Sequence, residues 1–170
     1  MLLLAILKGI PPWVWALLAV LVFFGLKATR EREVSSALYW LFPLLGLLAV
    51  PKLVSLGRWE AWAAFAAANL LGALAGYSYQ GKVILGVRGS RIRVAGEWVT
   101  FVSMMAIFVS NMAFGIISAV SPDLITRMAP LILLVSLPAF FGGMFIGRAM
   151  RVVRLAAVKG NVVSKERGST

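Results

Sequence analysis

Five long apolar runs alternate with short charged segments along this chain of 170 residues. A transmembrane helix needs about 20 predominantly apolar residues, and each run has roughly that length. The runs predict an all-α membrane protein, a bundle of five transmembrane helices in one domain over residues 1–158, with a polar cytoplasmic tail over 159–170. The predicted helices cover residues 10–27, 34–52, 61–80, 98–121 and 128–148.

The distribution of Lys and Arg predicts how the bundle is oriented. Short cytoplasmic loops are enriched in these residues relative to loops on the other side of the membrane. With the N-terminus outside, thirteen of the seventeen basic residues fall in cytoplasmic segments and four fall outside. We therefore expect an N-out, C-in topology. The four outside residues are Lys8, Lys52, Arg58 and Arg127.

The cytoplasmic segment 82–97 alternates apolar and basic residues around Gly89-Ser90, a dipeptide that suits a two-residue turn. This pattern predicts a small cytoplasmic β-hairpin between the third and fourth helices, with one apolar face and one basic face. An irregular basic loop is the alternative. The expected register pairs Val87 with Ile92 and Leu85 with Val94.

Small residues recur every four positions in the third and fifth predicted helices, so each helix presents a narrow stripe of them. Such stripes let helix backbones approach closely in lipid, where hydrophobic burial does not drive association. We expect both stripes to face other helices, although a merely alanine-rich helix has a similar composition. The helix-packing residues are Ala64, Ala68, Gly72, Gly76, Ala139, Gly143 and Gly147.

Three polar residues inside the predicted helices are candidates for an intramembrane polar site, namely Asn69, Ser110 and Asn111. An amide in lipid needs a hydrogen-bonding partner on its own or a neighbouring helix. We expect the asparagines to join helices, and the alternative is that they line a polar cavity.

Composition removes several classes of function. The chain is 61% hydrophobic, with a mean hydropathy of +0.94, and it contains neither Cys nor His. Their absence removes disulfides, the common zinc and haem ligand sets and nucleophile–histidine pairs. No acidic residue lies inside a predicted helix. We therefore predict a protein that is not an enzyme and has no catalytic residues, bound metal or cofactor.

The net charge of +11 comes from basic residues that cluster at the ends of the apolar runs. This placement favours contact with anionic lipid headgroups on the cytoplasmic side of the bilayer over nucleic-acid binding, which we do not expect. The predicted headgroup contacts are Arg88, Arg91, Arg93, Arg148, Arg151 and Arg154.

The layout resembles a family of small polytopic bacterial inner-membrane proteins of unknown function. The segments that carry the resemblance are PPWVWALLAVLVFFGLKATRERE, GVRGSRIRVAGEWVTF and GGMFIGRAMR. The resemblance implies a multi-pass protein of the bacterial inner membrane, and it implies no activity.

Two hypotheses for function follow. The first is a non-enzymatic membrane protein that acts through helix packing or assembly, with itself or with another membrane protein. The alternative is a small transporter, or a membrane protein that binds a lipid or another small molecule. A polar cavity open to one side would favour the alternative, and a filled helix bundle would favour assembly.

Overall fold

The computed structural model describes residues 11–35, 50–88 and 91–167, and the side chains of 11–31, 50–84 and 94–155 among them. Six helices and three strands make up these described residues. In chain order they are α1 (Pro12–Ala28), β1 (Arg32–Ser35), α2 (Val50–Leu56), α3 (Trp59–Val83), β2 (Ile84–Arg88), β3 (Arg91–Val94), α4 (Trp98–Val120), α5 (Pro122–Thr126) and α6 (Met128–Arg167).

Proline sets two of the helix boundaries. Pro12 is the first residue of α1, where its fixed φ suits a helix and its missing N–H has no intrahelical partner to lose. α4 ends at Val120 because Pro122 disfavours helical backbone at the preceding residue, Ser121. The chain then turns through the short helix α5 into α6.

Helices α3 and α6 pack side by side along most of their shared length, and this pair forms the centre of the described structure. An apolar cluster lies at each end of the pair. The cluster near the sheet, which we call the sheet end, comprises Val83, Val94, Ala149 and Val152. The cluster near α5, which we call the α5 end, comprises Leu53, Ala61, Leu131 and Val135.

The three strands form one antiparallel sheet in the order β1-β3-β2. β3 lies in the centre, with Val34 of β1 and Val87 of β2 both opposite Ile92. A hydrogen bond from the Glu97 backbone N–H to the Ala28 carbonyl (3.0 Å) attaches the start of α4 to the end of α1.

The prediction of five transmembrane helices is wrong. Among the described residues, only Trp98–Val120 and Met128–Leu155 form helices that are long and apolar enough to cross a membrane. α1 has 17 residues, about 26 Å at the rise of an α-helix, which is short of a hydrocarbon core about 30 Å thick. α3 is long enough, but its apolar residues are mostly alanine and glycine. The remaining prediction, over 34–52, lies mostly outside the described residues.

The prediction of a two-stranded β-hairpin is also wrong, because β1 adds a third strand along β3. The pairing of Val87 with Ile92 is found, and the turn at Gly89-Ser90 lies outside the described residues. Val94 pairs with Ile84 and not with Leu85, because an irregularity between Ile84 and Gly86 shifts the register. The third strand gives hydrogen-bond partners to backbone groups of β3 that would be unpaired at the edge of a two-stranded hairpin.

α6 is longer than predicted. Its backbone remains helical to Arg167, through most of the segment predicted to be a polar tail. The apolar part of α6 ends near Leu155, and the helix continues for about three further turns beyond it.

Candidate functional site

The two glycines of the α3 stripe lie against the main chain of α6. A Cβ atom added to Gly72 would overlap the carbonyl of Phe140, and one added to Gly76 would overlap the carbonyl of Met144. Any side chain larger than hydrogen would therefore force the helices apart. The absence of side chains here permits backbone-to-backbone contact.

The contact is reciprocal along α6. A Cβ atom added to Gly143 would overlap the carbonyl of Asn69, and one added to Gly147 would overlap the carbonyl of Ala73. The four glycines thus alternate between the two helices along one line. In such a contact each backbone approaches the other without an intervening side chain, which gives dispersion contact along the whole interface.

The alanines of the stripes are buried to different degrees. Ala68 and Ala139 are buried, and Ala64 is half-buried near the start of α3. Asn69 donates a hydrogen bond from Nδ2 to the Ala139 carbonyl at 3.3 Å, so this amide joins α3 to α6. All seven residues predicted for helix packing therefore lie on α3 or α6, and the four glycines form the closest part of the contact.

Ser110 and Asn111 are satisfied by their own helix, α4. Ser110 Oγ donates to the Ala106 carbonyl at 2.6 Å, and Asn111 Nδ2 donates to the Ile107 carbonyl at 2.9 Å. These contacts are separate from the bond that Asn69 makes to α6. Asn69, Ser110 and Asn111 therefore do not hydrogen-bond to one another, and these bonds do not join them into one polar site.

Lys52 gives Asn111 a partner that the sequence did not suggest. The Lys52 Nζ atom lies 3.5 Å from Asn111 Oδ1 and 3.7 Å from the centre of the Phe114 ring. Lys52 lies on α2, outside the two candidate spans. Burial lowers the pKa of its ammonium group from 10.5 to about 8, because a low-dielectric surrounding disfavours the charged form. An amide oxygen and an aromatic face are the groups that stabilise this cation.

A buried network around Arg148 lies at the sheet end. The guanidinium of Arg148 donates from Nε to Gln80 Oε1 (2.7 Å) and from Nη1 to Thr100 Oγ1 (2.9 Å), and its Nη2 forms an ion pair with Glu97 Oε1. All four residues are at least nine-tenths buried. The network joins α3, α4 and α6 through one side chain.

The start of α4 shapes this network. Glu97 is the residue before the first turn of α4, and Thr100 lies three residues later, so their side chains meet on one side of the helix terminus. The Thr100 hydroxyl donates to Glu97 Oε1 at 2.9 Å while accepting from Arg148. Because burying a charge without a partner is costly, these hydrogen bonds are what allow Arg148 to lie inside the protein.

The structure corrects the prediction for Arg148. This side chain is only 3% exposed and is engaged with protein groups, so it does not contact lipid headgroups. Glu97 had no expected role from the residue pattern. Glu97 is the single acidic residue of the basic segment 82–97, and that isolation was the available signal for an ion pair.

Arg151 and Arg154 converge on Tyr77, in the last third of α3. Arg154 Nη1 donates to the Tyr77 hydroxyl at 2.8 Å, and the Arg151 guanidinium lies 4.8 Å from the centre of the Tyr77 ring. The Arg151 guanidinium, followed by that of Arg154, holds the pKa of Tyr77 below its ordinary value, because nearby cations favour the phenolate. We call these three residues the Tyr77 cluster.

Tyr79 lies beside the Arg148 network. Its ring centre is 5.9 Å from the Arg148 guanidinium. Burial, and then the nearby Glu97 carboxylate, raise the pKa of the Tyr79 hydroxyl, since both disfavour a second negative charge. Tyr77 and Tyr79 are two residues apart and yet face opposite electrostatic surroundings.

Three of the predicted headgroup contacts, Arg88, Arg91 and Arg93, lie on the sheet. The backbone of Arg88 pairs with that of Arg91, and Arg93 pairs with both Glu33 and Gly86. Their side chains lie outside those that the structure describes.

Comparison with known proteins yields no match: no protein-family model, no curated protein and no solved structure is similar to this chain. The resemblance to a bacterial membrane family of unknown function therefore stays a prediction. What is established of membrane character is that two helices, α4 and the first 28 residues of α6, are long and apolar enough to span a bilayer.

Proposed function

We propose that this chain is a multi-pass protein of the bacterial inner membrane and that α4 and α6 cross the bilayer as an antiparallel pair. Exposed apolar side chains support this location, among them Val102 and Val109 of α4 and Leu133 of α6. Arg127 is the basic residue of the connection between these helices, whereas segment 82–97 and the residues after Gly147 are strongly basic. The positive-inside rule then directs the sheet end to the cytoplasm.

We further propose that the protein acts through helix assembly and is not an enzyme. The observation that carries this proposal is the glycine contact between α3 and α6, which makes a preformed helix pair. This pair turns Leu70, Leu71 and Leu74 of α3 outward, where they are more than half exposed. We call these three residues the leucine face, and we propose that a second copy of the chain covers it, since symmetric pairs are the commonest assemblies.

Cysteine labelling tests the membrane location, because the chain has no cysteine of its own. In intact spheroplasts, a membrane-impermeant maleimide should label Arg127→Cys, and it should label Lys82→Cys only after the membrane is permeabilised. Equal labelling of both variants in intact cells would contradict the proposed crossing.

Disulfide crosslinking tests the assembly. Leu71→Cys should form a covalent dimer in native membranes under mild oxidation, because a second copy places the two thiols together. Val102→Cys is the matched control, since this residue is similarly exposed on α4. Absence of a dimer for Leu71→Cys, or equal crosslinking of both variants, would contradict assembly through the leucine face.

Lys52 favours the alternative, a transporter or a membrane protein that binds a small molecule. Its amine is partly buried beside Asn111 and Phe114, an arrangement that suits an anionic group. Under this hypothesis a water-filled cavity reaches the amine. A water-soluble amine reagent should then modify Lys52 in the membrane-embedded protein as readily as the exposed Lys82. Modification of Lys82 alone would favour the filled bundle.

A further inference from the structure

The Tyr77 cluster concentrates positive charge that the described contacts do not neutralise. Arg151 and Arg154 both approach one neutral hydroxyl, and no carboxylate forms an ion pair with either of them among the described side chains. The Arg151 Nε atom is buried, and it has no hydrogen-bond partner within that part of the chain. This Nε atom is out of reach of a ligand, whereas the Arg151 side chain as a whole is half-buried and Arg154 is exposed. An acceptor from outside would therefore approach the other N–H groups of the two guanidiniums, where charge-assisted hydrogen bonds are stabilising.

The geometry selects the chemistry of that acceptor. Two guanidinium groups present several N–H donors in fixed planes, and such donors match the oxygen atoms of a phosphate group. The Tyr77 hydroxyl lies at the same point and adds a further polar group. A phosphate therefore fits the Tyr77 cluster better than a single carboxylate, because it offers more oxygens to the converging donors.

The position of the cluster selects a lipid as the source of the phosphate. Arg151 and Arg154 lie in the last turn and a half of the apolar part of α6, which ends near Leu155. This is where a crossing helix passes from hydrocarbon to headgroups. Arginine side chains at such a boundary reach toward phosphates while their stems remain in apolar surroundings.

We propose that Tyr77, Arg151 and Arg154 form a binding site for the phosphate of an anionic phospholipid headgroup at the sheet end of the protein. The proposal rests on the membrane location proposed above. The proposed site includes Arg151 and Arg154 and excludes Arg148, whose N–H groups donate to groups inside the protein. It therefore predicts one defined lipid site in addition to diffuse attraction to a charged surface.

Native mass spectrometry of the full chain tests the site, with phosphatidylglycerol as the probe and phosphatidylcholine as the neutral comparison. The wild type should retain one phosphatidylglycerol molecule, and Arg151→Gln with Arg154→Gln should weaken that retention by about tenfold or more, because charge-assisted hydrogen bonds are lost. Lys82→Gln with Arg127→Gln is the matched control. It removes the same charge from exposed positions and should change retention by about twofold or less.

Tyr77 supplies a second measurement, since the chain has three tyrosines. With Tyr39→Phe and Tyr79→Phe, Tyr77 is the only phenol that titrates. A bound phosphate would draw the arginines from the hydroxyl, so phosphatidylglycerol should raise the pKa of Tyr77 and phosphatidylcholine should not.

Equal lipid retention in the double-glutamine variant and its control, with no change in the Tyr77 titration, would overturn the site. Competition by inorganic phosphate at concentrations similar to the lipid would show that the ligand is a free anion and would overturn the lipid assignment. The maleimide labelling of Arg127→Cys and Lys82→Cys is a separate measurement. Correct labelling with no lipid effect refutes the site alone, whereas incorrect labelling refutes the membrane location.

Discussion

At the scale of single residues, two kinds of position hold this structure together. Glycines fix the distance between α3 and α6, and the buried Arg148 fixes how α3, α4 and α6 meet at the sheet end. The first kind acts by having no side chain, and the second by satisfying one long, charged side chain inside the protein. Both kinds are intolerant of change, because tight backbone contact and buried charge leave little room for relaxation.

The two adjacent glycines of α6 offer a direct comparison. Gly143→Ala should destabilise the protein by about 1–3 kcal/mol, because the new methyl group would overlap the Asn69 carbonyl. Gly142 faces open space, so Gly142→Ala should be neutral or stabilising by up to about 1 kcal/mol, the helix preference for alanine. Unfolding in mixed micelles measures both. Equal changes in the two variants would refute the close contact.

The Glu97–Arg148 ion pair should contribute far more than an exposed pair. Glu97→Gln leaves the Arg148 charge buried without its counter-ion, and we expect a loss of about 3–5 kcal/mol in the free energy of unfolding. Glu60→Gln removes the partly exposed partner of Arg58, 3.6 Å away, and should cost about 1 kcal/mol or less. Similar small losses for both variants would contradict the buried network.

Lys52 should make stability depend on pH. Its pKa is lowered to about 8 in the folded state, so above that pH the unfolded chain binds the proton more readily than the folded protein does. The free energy of unfolding should therefore rise with pH between about 8 and the ordinary value of 10.5. Lys52→Met should lose this rise, and the difference between the two pH profiles measures it. Parallel profiles would show that the Lys52 amine is not buried.

At the scale of elements, the sheet is the feature that links distant parts of the chain. β2 and β3 are neighbours in sequence, whereas β1 comes from the segment after α1. Pairing β1 with β3 holds the end of α1 near the start of α4, as does the hydrogen bond from the Glu97 N–H to the Ala28 carbonyl. The sheet therefore joins α1, α3 and α4 at one end of the structure.

A disulfide tests the pairing of β1 with β3 in this cysteine-free chain. Val34 and Ile92 are register partners, so Val34→Cys with Ile92→Cys should oxidise readily, because opposite Cα atoms in antiparallel strands lie within disulfide range. Val34→Cys with Arg93→Cys shifts the register by one residue and should oxidise poorly, since neighbouring residues point to opposite faces. Gel mobility with and without reductant measures both. Preferential oxidation of the shifted pair would refute this register.

At the scale of the whole molecule, α3 and α6 each contribute residues to both apolar clusters. The same two helices therefore connect the sheet end to the α5 end. Leu131 belongs to the cluster at the α5 end and Val152 to the cluster at the sheet end, and both side chains are completely buried. A helix pair that is shared by both clusters should unfold as one cooperative unit.

This continuity predicts that damage at one end is felt at the other. Leu131→Ala should lower the free energy of unfolding by about 2–5 kcal/mol. Two single-tryptophan variants report on the two ends, one keeping Trp62 near the α5 end and the other keeping Trp98 near the sheet end. Leu131→Ala should lower the unfolding midpoint equally in both. Tryptophan fluorescence measures both. A lower midpoint for the Trp62 variant alone would show that the ends unfold independently.

The sequence by itself determined features that depend on neighbouring residues. It placed α4 within one residue of its observed end, found the hairpin pairing of Val87 with Ile92, and identified Gly72, Gly76, Gly143 and Gly147, which lie at the α3–α6 contact. Hydropathy, turn propensity and four-residue spacing are local signals, so they survive without knowledge of the fold. Run length alone did not establish five crossings, because apolar character and helix length both limit what can span a bilayer.

Only the tertiary structure decided which polar groups meet. Arg148 contacts Gln80 and Glu97, which are 68 and 51 residues away in the chain, and β1 pairs with β3 although α2 and α3 lie between them in the described part of the chain. Such contacts depend on how helices pack and rotate, and a rotation of α6 by one residue would turn Arg148 away from these partners. Arg151 and Arg154 follow it at three-residue intervals, yet they contact Tyr77 instead. Arginines that looked equivalent in sequence therefore differ, because Arg148 meets Gln80 of α3 whereas Arg151 and Arg154 both meet Tyr77.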